Sequence, residues 1–216
     1  MKHLRWWCAG LFAVATWADS EKVDLPGVKI HSDGGGQYIA AEGAVALTNG
    51  ILEFVACEPG TRDYESVLTL KSKPSALQFA LLLIGCEAGP TPEEAKAGQK
   101  VGDRLDLEVE WTVDGKPKRV PVEQLLINRK TGKVASELAW YYTGSRFVKD
   151  IEGKEVFLGD SEQAHISLWW NPGMLVNVGG GHGNPYNGPA EGFEVNKALI
   201  PPEKTPITLI IRKRQP

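Results

Sequence analysis

The chain has 216 residues, and its 24 basic and 27 acidic side chains leave a formal net charge of −3 at pH 7. A mildly acidic chain has no broad basic surface for neutralising phosphates, so we expect no nucleic-acid partner. The length suits one domain with a substantial hydrophobic core.

Residues 1–18 have the pattern of a secretory signal peptide. Lys2 and Arg5 give a basic start, a short apolar run follows, and small residues up to Ala18 form a cleavage site. The run is shorter than the roughly 20 residues that span a bilayer, and a buried N-terminal helix is the alternative. We therefore predict cleavage after Ala18, a secreted or periplasmic protein, and a single domain over residues 19–216 without an integral membrane segment.

Two of the three cysteines remain after removal of such a signal. Cys8 leaves with it, whereas Cys57 and Cys86 stay in the mature chain. An even number of cysteines in an oxidising compartment favours a disulfide, which would contribute roughly 3–4 kcal/mol by closing a loop of about 30 residues. Two buried thiols that behave as small apolar side chains are the alternative.

The first half of the chain contains two turn signals and one apolar helix. Asn49-Gly50 lies between two strand-like runs and predicts a type I′ hairpin. After Pro74, an apolar segment with capping-box spacing between Ser75 and Gln78 predicts a helix over about 75–84. Because this helix is apolar on every face, we expect it to be enclosed by protein.

Strands dominate the rest of the chain. Residues 105–113 alternate apolar and polar side chains, which indicates a strand with one buried face, and Asp114-Gly115 then predicts a tight turn. Further short strands do not alternate with helices, so a parallel βαβ sheet is not expected. The predicted fold is α+β, with one or two largely antiparallel sheets and the 75–84 helix packed against them.

The charged segment Arg62–Glu65 is the first candidate binding site. It opens a predicted strand directly after a Pro-Gly turn, where side chains can face a cleft. Glu65 could serve as an acid, a base or an anchor, Arg62 could hold an anion, and Tyr64 lies between them. The structural alternative is a hairpin edge with solvated charges and an ion pair that contributes little to stability.

Two further segments could contact a ligand. In a strand, Trp140 and Tyr142 share one face, and aromatic rings followed by Gly144 and the Ser145 hydroxyl can line a groove for a sugar or a peptide. A core strand followed by a turn is the alternative. The glycine-rich loop 179–192, which contains His182, could act as a lid or bind a ligand, or form an exposed surface loop.

No metal or cofactor is predicted. His31, His165 and His182 are scattered and lack partners at the spacing of a helical zinc motif. The chain also has no Gly-x-Ser-x-Gly nucleophile elbow.

Several segments, taken in order, resemble the YdjY-type domain of exported bacterial proteins. They are ILEFVACEPGTRDYESVLTL, ALLLIGCEAGP, EVEWTVDG and WYYTGSRF, with weaker similarity at HISLWWNPGMLVN and PPEKTPITLIIRK. The resemblance implies an exported protein and leaves its biochemical activity open. Some relatives carry a ferredoxin-like cysteine segment, but Cys57 and Cys86 cannot supply the four thiolates that an iron–sulfur cluster ordinarily takes.

These observations favour a non-catalytic domain that binds a small ligand or an envelope protein. One alternative is an envelope-acting hydrolase that uses Glu65 as acid or base, which requires Glu65 to be buried in a pocket beside a second titratable group. The other alternative is a redox-linked accessory protein that uses Cys57 and Cys86 as a reversible pair.

Overall fold

A computed structural model describes residues 25–186 and 191–215. The predicted signal peptide, residues 1–18, lies outside these ranges. Within them the chain is rich in strands and has two α-helices. The strands are β1 Val28–Asp33, β2 Gly36–Val45, β3 Ile51–Leu52, β4 Phe54–Cys57, β5 Ser66–Leu70, β6 Arg104–Val113, β7 Lys116–Pro121, β8 Leu126–Asn128, β9 Lys133–Val134, β10 Trp140–Tyr142, β11 Phe147–Lys149, β12 Glu155–Phe157, β13 Ala164–Ser167, β14 Val176–Val178, β15 Phe193–Val195 and β16 Pro206–Lys213; the helices are α1 Pro74–Leu83 and α2 Leu158–Glu162.

Eight strands close into a barrel. Their order is β2–β16–β6–β10–β14–β13–β4–β5, and β5 returns to pair with β2. Neighbouring strands are antiparallel except for the pairs β13–β14 and β4–β5. Strands β1 and β7 extend the barrel at β2 and β6, while β3–β15–β8–β9 and β11–β12 form two smaller sheets. This architecture confirms the predicted α+β class with largely antiparallel sheets.

Alternating apolar side chains fill the core of the barrel. In β6 the residues Leu105, Leu107 and Val109 are buried, as the period of two predicted. Strands β2 and β5 lie very close together where the barrel closes. A Cβ atom at Gly43 would lie 2.0 Å from the carbonyl oxygen of Thr69. Any side chain at Gly43 would therefore separate the two strands that close the barrel.

Helix α1 packs one face against this core. Leu77 and Leu81 are fully buried, and burial of each such side chain is worth about 1.5–3 kcal/mol. The opposite face carries Phe79, Leu82 and Leu83, which are exposed. The helix therefore lies where the sequence predicted it, but protein encloses only one of its faces. Within the described residues, no helix is long and apolar enough to cross a membrane.

The N-terminus of α1 is capped from outside the helix. Asp160 of α2 accepts hydrogen bonds from the backbone N–H and the hydroxyl of Ser75, both at 2.8 Å. The predicted capping box between Ser75 and Gln78 is therefore not formed. The bond joins α1 to α2, and it leaves the Gln78 amide available for a different contact.

One of the two predicted hairpins is correct. Asp114 and Gly115 both have positive φ, at 49° and 75°, and they join β6 to β7. The hairpin predicted at Asn49-Gly50 is wrong, because the edges of β2 are occupied by β16 on one side and by β1 and β5 on the other. Strand β4 instead pairs with β5 and β13.

Candidate functional site

The turn between β4 and β5 holds the first predicted site. Asp63 fixes this turn by accepting a hydrogen bond from the backbone N–H of Gly60 at 2.9 Å. A short 3₁₀ helix, Asp63–Glu65, then directs Glu65 inward, where it is 5% exposed, and leaves Tyr64 exposed. The carboxylate of Glu65 is therefore enclosed at the end of a well-fixed turn.

Arg62 is engaged by the protein itself. Its Nη1 lies 3.2 Å from Glu65 Oε1, its Nη2 lies 3.2 Å from Glu162 Oε2, and its Nε donates to the Glu162 carbonyl at 3.1 Å. The guanidinium also lies over the Phe54 ring, 5.3 Å from its centroid. Because all three nitrogens already donate to internal acceptors, Arg62 connects the turn to α2 and neutralises Glu65.

A second carboxylate adjoins Glu65. The backbone N–H of Glu53 donates to the Glu65 carbonyl at 2.9 Å, and burial together with the Glu65 charge raises the pKa of the Glu53 carboxyl. Asn184 donates from Nδ2 to Glu53 Oε1 at 3.4 Å. The structure thus brings together the predicted 62–65 turn and part of the 179–192 loop. We call this place the Glu53–Glu65 site.

Trp140 lies in the core. It sits in β10 between β6 and β14 and is 1% exposed. Its Nε1 donates to Glu123 Oε1 at 2.7 Å, and burial raises the pKa of that carboxyl. The indole therefore presents no ring face to a ligand.

A cleft lies between α1 and the segment that follows β10, and we call it the α1 cleft. Its volume is about 470 Å³, compared with about 330, 260 and 280 Å³ for three other clefts on the protein. Leu82 and Trp170 are part of its apolar lining, and Tyr142, Ser145 and Arg146 supply polar groups. Clefts of this size, lined by apolar groups with a few polar ones, are the usual sites of small ligands.

The wall of the α1 cleft is held in place by Gln78. Its Oε1 accepts the backbone N–H of Ser145 at 2.7 Å, and its Nε2 donates to the Ser145 carbonyl at 3.4 Å. Gly144 has a φ of +68°, and a Cβ atom there would lie 2.9 Å from the Cβ of Ala88. Glycine is thus required at 144 both by its backbone conformation and by the available space.

Two residues of the α1 cleft have hydroxyls that lack hydrogen-bond partners among the described residues. The Ser145 hydroxyl oxygen is fully buried without a partner, and it lies beside Gly159 rather than in the open cleft. Tyr142 is 1% exposed, and no protein group in the described ranges hydrogen-bonds to its hydroxyl. Burial raises the pKa of Tyr142 to about 12, so it remains a protonated donor at neutral pH. A hydroxyl that a ligand covers without a hydrogen bond costs about 1–3 kcal/mol, so a ligand that pairs with Tyr142 is favoured over one that does not.

Arg146 contributes a positive charge to the same cleft. Its side chain is exposed, and it takes part in none of the ion pairs formed within residues 25–186 and 191–215. Unlike Arg62, it is therefore available to an anionic group of a ligand.

A family model described as the YdjY domain matches residues 36–164. The chain belongs to the YdjY family. The match confirms the resemblance seen in the sequence, and it includes Glu65, Gln78, Tyr142, Ser145 and Arg146. No curated protein and no solved structure gives a significant match to the chain.

Parts of both sites in this YdjY protein come from beyond the family match. Trp170 completes the α1 cleft, and Asn184 reaches the Glu53–Glu65 site. His182, the remaining predicted ligand-binding residue, packs against the ring of Phe193 with 5.0 Å between the ring centroids, and burial lowers its pKa. It lines a separate cleft of about 260 Å³.

The predicted Cys57–Cys86 disulfide is not formed. Both thiols are free and buried. Cys57 packs in a small cluster that includes Phe54 and Met174, whereas Cys86 belongs to the main core. Burial raises the pKa of both thiols, that of Cys86 to about 11, so neither is an activated thiolate. The two cysteines in the described part of this YdjY protein are thus unactivated thiols, and the redox-linked alternative has no support.

Sequence reasoning missed several residues of the α1 cleft. Gln78 is the one amide in a helix that is otherwise apolar after Ser75, and this isolation was a signal that it serves a contact outside the helix. Leu82 and Trp170 gave no comparable signal, because exposure of a helical leucine or a tryptophan depends on tertiary packing. Across the described ranges, no three His, Cys, Asp or Glu side chains converge as metal ligands.

Proposed function

We propose that this YdjY protein is an exported, non-catalytic binding domain that holds a small ligand in the α1 cleft at the cell envelope. The observation that carries the proposal is the α1 cleft itself, a concave site of about 470 Å³ in which the apolar side chains of Leu82 and Trp170 lie beside polar groups of Tyr142 and Arg146. Export is supported by the signal-like pattern that ends at Ala18.

The walls of the cleft are built before any ligand arrives. Gln78 holds both backbone polar groups of Ser145, and Gly144 packs against Ala88. A preformed site binds with a smaller loss of conformational freedom than a site that must be ordered. This rigidity supports a binding role.

The chemistry of the lining supports binding without catalysis. The α1 cleft is lined by no Asp, Glu, His or Cys among the described residues. Its tyrosine, Tyr142, has a pKa of about 12 and holds its proton at neutral pH. The cleft therefore lacks a group whose pKa suits proton transfer near pH 7.

Thermal unfolding in the presence of chemically distinct ligands tests the proposal. Panels of short peptides, glycan fragments and fatty acids are added to the wild type, to Leu82→Glu and to Leu83→Glu. The two leucines are 51% and 47% exposed on the same helix, but only Leu82 lines the cleft. We expect one of these ligand classes to raise the melting temperature of the wild type and of Leu83→Glu. The melting temperature of Leu82→Glu should not change. An equal rise in all three proteins, or none in the wild type, would contradict the proposal.

A second candidate function, the envelope-acting hydrolase, is favoured by one observation. Glu65 is buried beside Glu53, whose pKa is raised by burial and by the charge of Glu65. A carboxyl whose pKa is raised by burial and by a neighbouring charge is a candidate general acid. Release of reducing ends from purified peptidoglycan tests this function: a hydrolase requires activity in the wild type that is lost in Glu53→Gln, and no activity in the wild type would exclude glycan cleavage.

A further inference from the structure

We infer that the ligand of the α1 cleft is a short peptide that ends in a free carboxylate next to an apolar side chain. The inference rests on the proposed function, because it assumes that the α1 cleft is the binding site. It adds the chemical class of the ligand, which follows from three features of the lining: an exposed cation, a hydroxyl and an exposed apolar surface.

The cation is Arg146. A guanidinium without an internal counter-ion can form paired, charge-assisted hydrogen bonds with a carboxylate, which fix the orientation of the ligand. Tyr142, which lines the same cleft, has a hydroxyl that no protein group in the described ranges bonds, and this hydroxyl can donate to the ligand. The Arg146 side chain and the Tyr142 hydroxyl therefore supply the polar groups of the site.

The apolar surface comes from α1 and from the segment after β13. Leu82 is half exposed, and Trp170 and Pro172 lie in the same lining. An apolar side chain of the ligand would cover this surface and gain about 25 cal/mol for each Å² removed from water. The site thus favours a ligand that carries an apolar group beside its charge.

A peptide satisfies these groups together better than the other two classes do. A neutral sugar offers no charge to Arg146. A fatty acid offers a carboxylate, but its hydrocarbon chain would cover the Tyr142 hydroxyl without offering it a hydrogen bond. A peptide brings a carboxylate, apolar side chains and backbone groups that can bond to the Tyr142 hydroxyl.

An array of random tetrapeptides tests whether the ligand is a peptide with a free carboxylate end. The peptides are immobilised through their N-termini in two matched sets, one with free carboxylate ends and one with amidated ends. Wild-type protein, Arg146→Gln, Arg104→Gln and Leu82→Glu are applied to both sets. Arg104 is an exposed arginine of β6 that is not part of the cleft lining, so Arg104→Gln is the matched control.

We expect binding to the carboxylate set, enriched in apolar final residues, and binding to the amidated set weaker by about tenfold or more. Arg146→Gln should abolish this preference, and Arg104→Gln should retain it. Equal binding to both sets that is lost in Leu82→Glu would overturn the carboxylate inference and leave the α1 cleft as the binding site. Absence of binding to either set would overturn the peptide class, and binding that survives Leu82→Glu would contradict the proposed function itself.

Discussion

The ion pair between Arg62 and Glu65 shows how a charged turn can be structural. Sequence reasoning placed these residues at an exposed hairpin edge or in a cleft, but Glu65 is buried and Arg62 bridges it to Glu162. The sequence could not reveal this arrangement, because Glu162 is 100 residues away from Arg62 in the chain. Removing the counter-ion of a buried carboxylate strongly destabilises the folded protein.

We predict that Arg62→Ala lowers the free energy of unfolding by about 2–4 kcal/mol, because it leaves the Glu65 charge buried and unpaired. Urea unfolding measures the loss. Arg119→Ala is the control, since Arg119 pairs with Glu108 and Glu110 where all three side chains are substantially exposed, and its loss should stay below about 1 kcal/mol. Equal losses in the two variants would show that the Arg62 pair is no stronger than a surface pair.

His165 is a second residue whose surroundings affect the stability of the folded protein. It is fully buried in β13, its Nε2 lies 2.9 Å from the Ser72 carbonyl, and its Nδ1 has no partner in the described structure. Burial lowers its pKa to about 4 from the 6.5 of an ordinary histidine. Between these two pH values the unfolded chain binds a proton that the folded protein does not, so stability falls as the pH decreases.

We predict that this histidine alone removes about 3 kcal/mol of unfolding free energy between pH 6.5 and pH 4, with full stability above that window. His165→Gln retains a donor for Ser72 and does not titrate, so its unfolding free energy should fall less steeply across the window than that of the wild type. His31→Gln, which alters an exposed ring beside Tyr38, is the control. Identical pH profiles for the wild type and His165→Gln would refute the assignment.

At the scale of elements, the sequence correctly predicted the structures that depend on residues close together in the chain. The alternation in β6, the apolar run of α1 and the Asp114-Gly115 turn all appear in the structure, because each depends on neighbours in sequence. The Asn49-Gly50 hairpin failed for a non-local reason: both edges of β2 are taken by strands from elsewhere in the chain. Turn chemistry indicates a reversal of the chain but does not determine which strands pair.

The turn that carries Ser145 gives a prediction at this scale. Gly144→Ala should lower the unfolding free energy by more than the roughly 1 kcal/mol that a positive φ alone costs, because the new methyl group meets Ala88. Gly132→Ala is the matched control, since Gly132 has a φ of +66° and open space around it. Chemical denaturation compares the two, and a loss in Gly144→Ala no larger than in Gly132→Ala would contradict the packing argument.

At the scale of the whole molecule, barrel closure joins segments that are distant in sequence. Strand β16 pairs with β2 in the register Ile211↔Ile39, and β5 closes the ring through Gly43↔Leu70. No local pattern encodes such pairings, so the sequence predicted the class of the fold but not its barrel. The α1 cleft is missed for the same reason: its lining comes from α1, β10 and the segments around residues 89 and 170.

The compartment gives another prediction for the whole chain. When the full-length protein is expressed in a bacterium, we expect the mature form to begin at Asp19 and to occur outside the cytoplasm, because the first 18 residues have the pattern of a cleavable signal. Intact-mass spectrometry of fractionated cells measures both the first residue of the mature form and the compartment in which it occurs. Recovery of the uncleaved chain from the cytoplasm would contradict export and would remove the envelope from the proposed function.

Calorimetric titration tests the central claim, that the α1 cleft binds a ligand, most directly. The best carboxylate-ended tetrapeptide from the array is titrated into the wild type, Leu82→Glu and Leu83→Glu, and circular dichroism checks that all three are folded. We predict equal affinities for the wild type and Leu83→Glu, and an affinity at least about tenfold weaker for Leu82→Glu, because only Leu82 lines the cleft. Equal affinity in all three proteins would place the ligand elsewhere and contradict the account.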